Sequence, residues 1–275
     1  MKHLRVAVGG LLLTCCVTVS KRANADGPGS TDPDLSPPAI VQGRPFSALK
    51  FARRVHLDGK GKQTLIQEMG HVLLARDADG TVTMIGAQPF DQQCDVPEYG
   101  TLPPCDYWRQ FVFDPKVGSI WHWGEGPLGN TSQAIQISLS TAQLADAQRL
   151  TSALRPRKFN TDLEHGVFTQ DLGEATIQGI HVTGFRTVTC SGASADGPKI
   201  TFHEVWISLE MRLVVKVIDG DTEGNETVSG IEHLSLSPAA SLFRPPPSRS
   251  TLNYTTNSEY AQDDLTALAD WFVKA

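Results

Sequence analysis

Outside the amino-terminal targeting segment the chain carries seven histidines, and one of them, His122, stands between Trp121 and Trp123 in SIWHWGEG. An imidazole flanked by indoles suits three kinds of chemistry: a metal ligand, a proton shuttle, or the polar member of an apolar pocket. A metal centre needs donors at ligand spacing. His56, His71, His122, His165, His181, His203 and His233 form no HExxH or HxH pattern, and Cys94, Cys105 and Cys190 form no CxxC. No metal and no cofactor is therefore expected. The adjacent pairs His203–Glu204 and Glu164–His165 are poor acid–base partners, because neighbours on a strand point to opposite faces. Ser191, in CSGAS, lacks the GxSxG frame, and neither SxxK nor a phosphate-cradling loop occurs. Glu164, Asp171 and Glu174 are ordinary carboxylates, whose pairing for glycoside hydrolysis only geometry decides. The expectation is a protein that is not an enzyme, with no catalytic residues.

The element that holds His122 is a hairpin. In DPKVG, Asp114 and Pro115 suit the first positions of a type I turn, and Gly118 supplies the left-handed residue that closes a four-residue loop. That register sets Val112 opposite Trp121, Phe111 opposite His122 and Gln110 opposite Trp123. One face then carries Trp108, Gln110, Val112, Trp121 and Trp123. The other carries Arg109, Phe111, Phe113, Ile120 and His122. A surface hairpin alternates apolar and polar residues, whereas this one is apolar on both sides. Two explanations stand. Either a helix covers one face and a loop or terminal helix the other, which is the plainer account, or one side lines a cavity walled by Trp108, Trp121 and Trp123, joined by Trp206.

Further strands surround the hairpin. SALKFARRVHL, QTLIQEMGHVLLARD, TVTMIG and AIQISLS precede the midpoint of the chain. VFTQDL, EATIQGIHVTGFRTVTC, KITFHEVWISL, MRLVVKVID and ETVSGIEHLSL follow it. Short turns such as DADG and DGDTEGN join them, as in an antiparallel meander. One amphipathic helix near 141–155 interrupts the series: Ser140 and Gln143 form a capping box, and Pro156 stops it. The fold class expected is mainly β: a curved antiparallel, half-barrel-like sheet of ten or more strands, with this helix packed on it and a second, C-terminal helix. The antiparallel domain spans 46–248, and 249–275 form a linker and the C-terminal amphipathic helix.

Residues 1–25 read as a signal peptide: Lys2 and Arg5 precede an apolar run, and Ala23-Asn24-Ala25 offers a cleavage pattern. Residues 26–45, rich in Pro, Gly and Asp, read as a flexible leader. Removing Lys2, Arg5, Lys21 and Arg22 leaves 20 of the 24 basic residues against 30 acidic ones, a formal charge of −10. Such a balance argues against nucleic acid as a partner, and no run is long enough for a transmembrane span. An exported protein, periplasmic or extracellular, is expected. In an oxidising compartment Cys94 and Cys105, which flank the turn-rich DVPEYGTLPP, are placed to form a disulfide.

Several patterns occur in order: DPKVG followed by Trp121, LGEATIQGIHVTGFR (172–186), WISLEMRLVV (206–215) and SLFRPP (241–246). Together they resemble a group of uncharacterised exported bacterial proteins with DPxxG, LGxxxIxGxxxxGxR, WxSxEL and SLFxxP patterns, over about residues 46–247. Leu209 stands where that group carries proline. The layout is similar to the half-barrel of periplasmic lipoprotein carriers, and the resemblance implies a fold, since fold alone does not fix function. The functional expectation is an exported protein that binds a lipid or other apolar or amphipathic ligand in the concavity of its sheet. Trp108, Trp121, Trp123 and Trp206 would form the ligand-binding walls. The alternative is an envelope structural or interaction protein without a small-molecule ligand, and a hydrolase stands third.

Overall fold

Among the described residues five local devices stand out in setting the course of the chain, and four of them share one chemistry. Asp58, Asp77, Asp114 and Asp221 each accept backbone amides two to four residues ahead through Oδ1, at 2.8–3.1 Å. Each is followed by a glycine in the left-handed region: Gly61, Gly80, Gly118 and Gly224. This is the Asx turn, in which a short carboxylate substitutes for a backbone acceptor and glycine takes the positive φ. The fifth device is the capping box, in which Ser140 N donates to Gln143 Oε1 at 2.9 Å and Gln143 N to Ser140 Oγ at 3.3 Å.

The computed structural model describes residues 42–87, 108–125, 133–150, 166–194 and 197–255. Within them lie β1 (Phe46–Leu57), β2 (Gln63–Arg76), β3 (Val82–Ala87), β4 (Trp108–Asp114), β5 (Ser119–Glu125) and β6 (Gln133–Ser138). Helix α1 (Thr141–Leu150) follows, then β7 (Val167–Ile177), β8 (Ile180–Ser194), β9 (Gly197–Ser208), β10 (Leu213–Asp221) and β11 (Asn225–Ser235). A 3-10 turn (Ala240–Phe243) and β12 (Ser250–Thr255) complete the series. The strands form one open, curved, twelve-stranded mixed sheet in the order β12-β6-β5-β4-β3-β2-β1-β11-β10-β9-β8-β7. A sheet this wide with accumulating twist curls.

The chain thus lays two meanders back to back. The first runs from β1 outward to β6. The chain then passes to the far edge, and the second meander runs inward from β7 until β11 pairs with β1. The sheet is not wholly antiparallel, as the turn signals suggest: β12 pairs with β6 in parallel, Leu252 opposite Ile135. Its residues, 250–255, belong to the segment the sequence assigns to a linker. A parallel partner needs a long connection, and 236–249 provide one. The signal segment, Cys94, Cys105, the C-terminal helix and the helical pattern beyond Leu150 lie outside the described residues.

The main core runs through β1 to β5, with Phe46, Ala48, Val72, Leu74, Met84, Phe111, Phe113 and Ile120, and continues into β8, β10 and β11. Leu144, in the first turn of α1, packs on it and lies against Gly118, where an added Cβ would stand 3.3 Å from Leu144 Cδ2. A second cluster, Leu49, Leu73 and Ala75 on the other face of β1 and β2, is met by Leu242 and Phe243 of the 3-10 turn.

Candidate functional site

The hairpin of β4 and β5 has the register that its turn dictates, with Gln110 opposite Trp123, Phe111 opposite His122 and Val112 opposite Trp121. Both faces are covered. On the face of Phe111, Phe113 and Ile120 the main core and Leu144 close over the strands. On the other face Val112, Trp123 and Ala134 pack together with Trp121 against them, and Trp123 is only 3% exposed. The β11–β12 connection crosses this side. Gln110 Nε2 donates to the Leu242 carbonyl at 2.7 Å, and Arg249 Nη1 to the Gly124 carbonyl at 3.2 Å.

His122 stacks on Phe111 with ring centroids 5.7 Å apart. Burial, with the Arg109 charge nearby, pulls its pKa down to about 4, so the ring is neutral at ordinary pH. Trp206 belongs to a different neighbourhood. It borders the main core, its Nε1 donates to Glu204 Oε1 at 2.7 Å, and its ring lies flat over Gly184, where a Cβ would stand 2.6 Å from the indole. The Arg186 guanidinium binds Glu204 Oε2 in turn, with Nε at 3.0 Å, the pairing that their strand positions suggest. Of the four tryptophans named from the sequence, Trp121 and Trp123 are therefore not on the same wall as Trp206. Trp121 and Trp123 share a cluster, Trp206 sits apart, and Trp108 opens β4 opposite Glu125.

Two cations hidden within the core are what the sequence did not advertise. Arg76, 1% exposed, lies over the Phe46 ring and donates to the carbonyls of Arg44 and Met211 at 2.9 and 2.8 Å. Its guanidinium ties three segments and is satisfied structurally. Lys50, 8% exposed, lies opposite Val72 and Ile231, both core residues, and burial brings its pKa down to about 7. The signal was present in SALKF: when Leu49 and Phe51 face one covered side, Phe46, Ala48 and Lys50 share the other. It is legible only once both faces of β1 are known to be covered.

A charged group occupies the opposite side of β1. Arg53 pairs with Glu68, and its Nη2 lies 3.3 Å from Glu232 Oε1. The buried His71 ring lies with Nε2 3.4 Å from Glu68 Oε1. Register irregularities in both β1 pairings and a left-handed φ of 54° at His233 adjoin this group, as bulges do where side chains are re-aimed. Arg53 sits between the two carboxylates and offsets part of their charge. Among the described residues no three His, Cys, Asp or Glu side chains form a group suited to a metal ion.

No protein-family model and no curated protein matches the chain. Three solved structures to which it is similar are distant. PNGF-II is 13% identical with a TM-score of 0.36, over 81% of this chain and 33% of its own, so the chain spans about a third of that protein. Lipoprotein LppX of Mycobacterium tuberculosis is 12% identical with a TM-score of 0.28, over 83% of this chain and 95% of LppX. LprF of Mycobacterium bovis is 8% identical with a TM-score of 0.29, over 74% and 90% respectively. No helix among the described residues is long and apolar enough to cross a membrane.

Proposed function

We propose that this protein is an exported, non-catalytic binding protein that takes an amphipathic ligand with an acidic head group against the apolar core of its curved sheet. Lys50 is the observation that carries this reading. Burying an amine among Val72, Ile231 and their neighbours is costly, and a side chain held there with a pKa of about 7 regains its proton when an anion approaches. Ligand pockets are mostly apolar with a few placed polar groups. Lys50 would be that group, and the half-buried Leu234, Ile177 and Trp206 at the border of the core would meet the tail. Trp206 is the tryptophan of the original four that this reading retains. Trp121 and Trp123 serve packing.

Oleate and oleyl alcohol, titrated against intrinsic tryptophan fluorescence, test the reading. Oleate is expected to bind, and Lys50→Met to weaken oleate about tenfold or more while changing the alcohol little. No fluorescence change with either, together with no lipid retained by the purified protein in native mass spectrometry, would end it.

A further inference from the structure

One end of the sheet gathers arginines in a chain whose formal charge is −6. The buried Arg76, where β2 ends, draws two segments together. Its Nε donates to the Arg44 carbonyl, just before β1, and its Nη2 to the Met211 carbonyl, in the β9–β10 turn. Arg44 and Arg212 are thereby brought beside it. Burial, with the charges of Arg212 and Arg44 nearby, brings the Arg76 pKa down to about 10. Against these cations stands Glu210, which meets Arg44 at 2.9 Å. The carboxylates of the adjoining β2–β3 turn are engaged elsewhere, Asp79 with Lys116 and Asp77 with amides of its own turn. Arg212 is exposed, and its φ of 47° lies in the left-handed region, where glycine is the cheaper residue. Its guanidinium is thus kept at a conformational cost.

Two leucines project among these charges. Leu209 shares the turn with Arg212 and is 51% exposed; Leu236 follows the last residue of β11 and is 54% exposed. β11 lies between β1 and β10, with Ser235 opposite Ser47, so Leu236 emerges at the same strand ends as Arg44 and Arg212. A specific protein partner needs roughly 800 Å2 of fitted surface on each side, and two turn-borne leucines among long cationic side chains do not supply it. A lipid surface asks for no fitted shape. Apolar side chains enter its head-group layer while basic ones meet its negative charge.

We propose that this end of the sheet docks on a membrane surface bearing anionic phospholipids, with Leu209 and Leu236 inserted among the head groups and Arg44 and Arg212 against their phosphates. The inference stands apart from the Lys50 reading and shares no residue with it, although Leu234 of β11 borders the core at the same end.

A Leu209→Trp variant of the full chain places an indole at the docking surface, and its emission minus that of the parent is followed as vesicles are added. A blue shift is expected with phosphatidylcholine vesicles containing about a third phosphatidylglycerol, and none with phosphatidylcholine alone. Adding Arg212→Gly should raise the lipid concentration at half-shift about fivefold, and Leu236→Ser should raise it by a similar factor. Glycine suits the left-handed φ, so thermal melts should show the fold undisturbed by Arg212→Gly. Oleate affinity should be the same in that variant as in the parent, so the docking surface and the Lys50 reading can fail separately. No shift with the mixed vesicles would overturn the proposal and favour an acidic protein as the partner. An equal shift with phosphatidylcholine alone, or one unmoved by Arg212→Gly, would overturn it too. So would oleate affinity that falls with Arg212→Gly as far as the vesicle response does. Sodium phosphate reversing the shift more than sodium chloride at equal ionic strength would mark a site for the free ion and overturn it as well.

Discussion

His122 and Lys50 are titratable side chains whose environments oppose their charged forms, and both favour the fold more as pH rises, each over its own window. The unfolded His122 titrates near 6.5 and the folded one near 4. Between these values the unfolded chain binds a proton that the fold refuses. Stability from this group is therefore complete above pH 6.5 and lost as pH falls toward 4, by roughly 3 kcal/mol. Urea midpoints at pH 7 and pH 4.5 should differ less in His122→Phe than in the parent; an unchanged difference would refute this. For Lys50 the unfolded value is 10.5 and the folded one about 7, so its contribution is gained as pH rises through that window and is absent below pH 7. Lys50→Met should raise stability at pH 6 by roughly 1–4 kcal/mol while weakening oleate. A loss of stability in that variant would mean that the amine supports the fold. Glu204, by contrast, is buried and binds both Arg186 and Trp206. Glu204→Ala strands the guanidinium and is expected to cost about 3 kcal/mol in chemical denaturation.

Elements differ in how far their own residues specify them. The β4–β5 register follows from five letters, because Asp114, Pro115 and Gly118 fix a turn whose geometry leaves the flanking strands no alternative pairing. The start of α1 is equally local, since both hydrogen bonds of its capping box lie within Ser140–Gln143. Asp114→Ala removes the acceptor of two turn amides and should cost about 1 kcal/mol, without moving the aromatic near-UV signal if the strands hold their register. What covers the hairpin is not local. Its two apolar faces announce two covers, but Leu144 lies 23 residues beyond Trp121 in sequence and Leu242 lies 121 beyond it. Nothing in SLFRPP says which strand face it will meet. That is why a cavity walled by tryptophans and a plain packed core read alike from the sequence, and why Trp206 seemed to belong with Trp121 and Trp123.

At the scale of the whole molecule, the two meanders meet at β1 and β11, leaving β7 and β12 as the edges. The edges are protected differently. β7 carries Asp171 and Glu174 beside a register shift at Gly173, whose φ is 78°, and such charges and kinks discourage pairing with another chain. On the other side β6, with Ile135 and Ile137, would present its backbone to solvent without β12. A short parallel strand delivered by a 14-residue crossover thus acts as an edge cover, and its cost in loop closure rises only slowly with length. The proline-rich stretch RPPPSRS, residues 244–250, leads into this last strand. Thr251→Pro with Leu252→Pro tests this role, because alternate amides of an edge strand face its neighbour and one of two adjacent prolines must remove a ladder donor to β6. Hydrogen exchange in β6 should accelerate, and light scattering should show self-association that grows with protein concentration. If β6 amides keep their protection and the protein stays at its parental size, the edge is held by something other than β12.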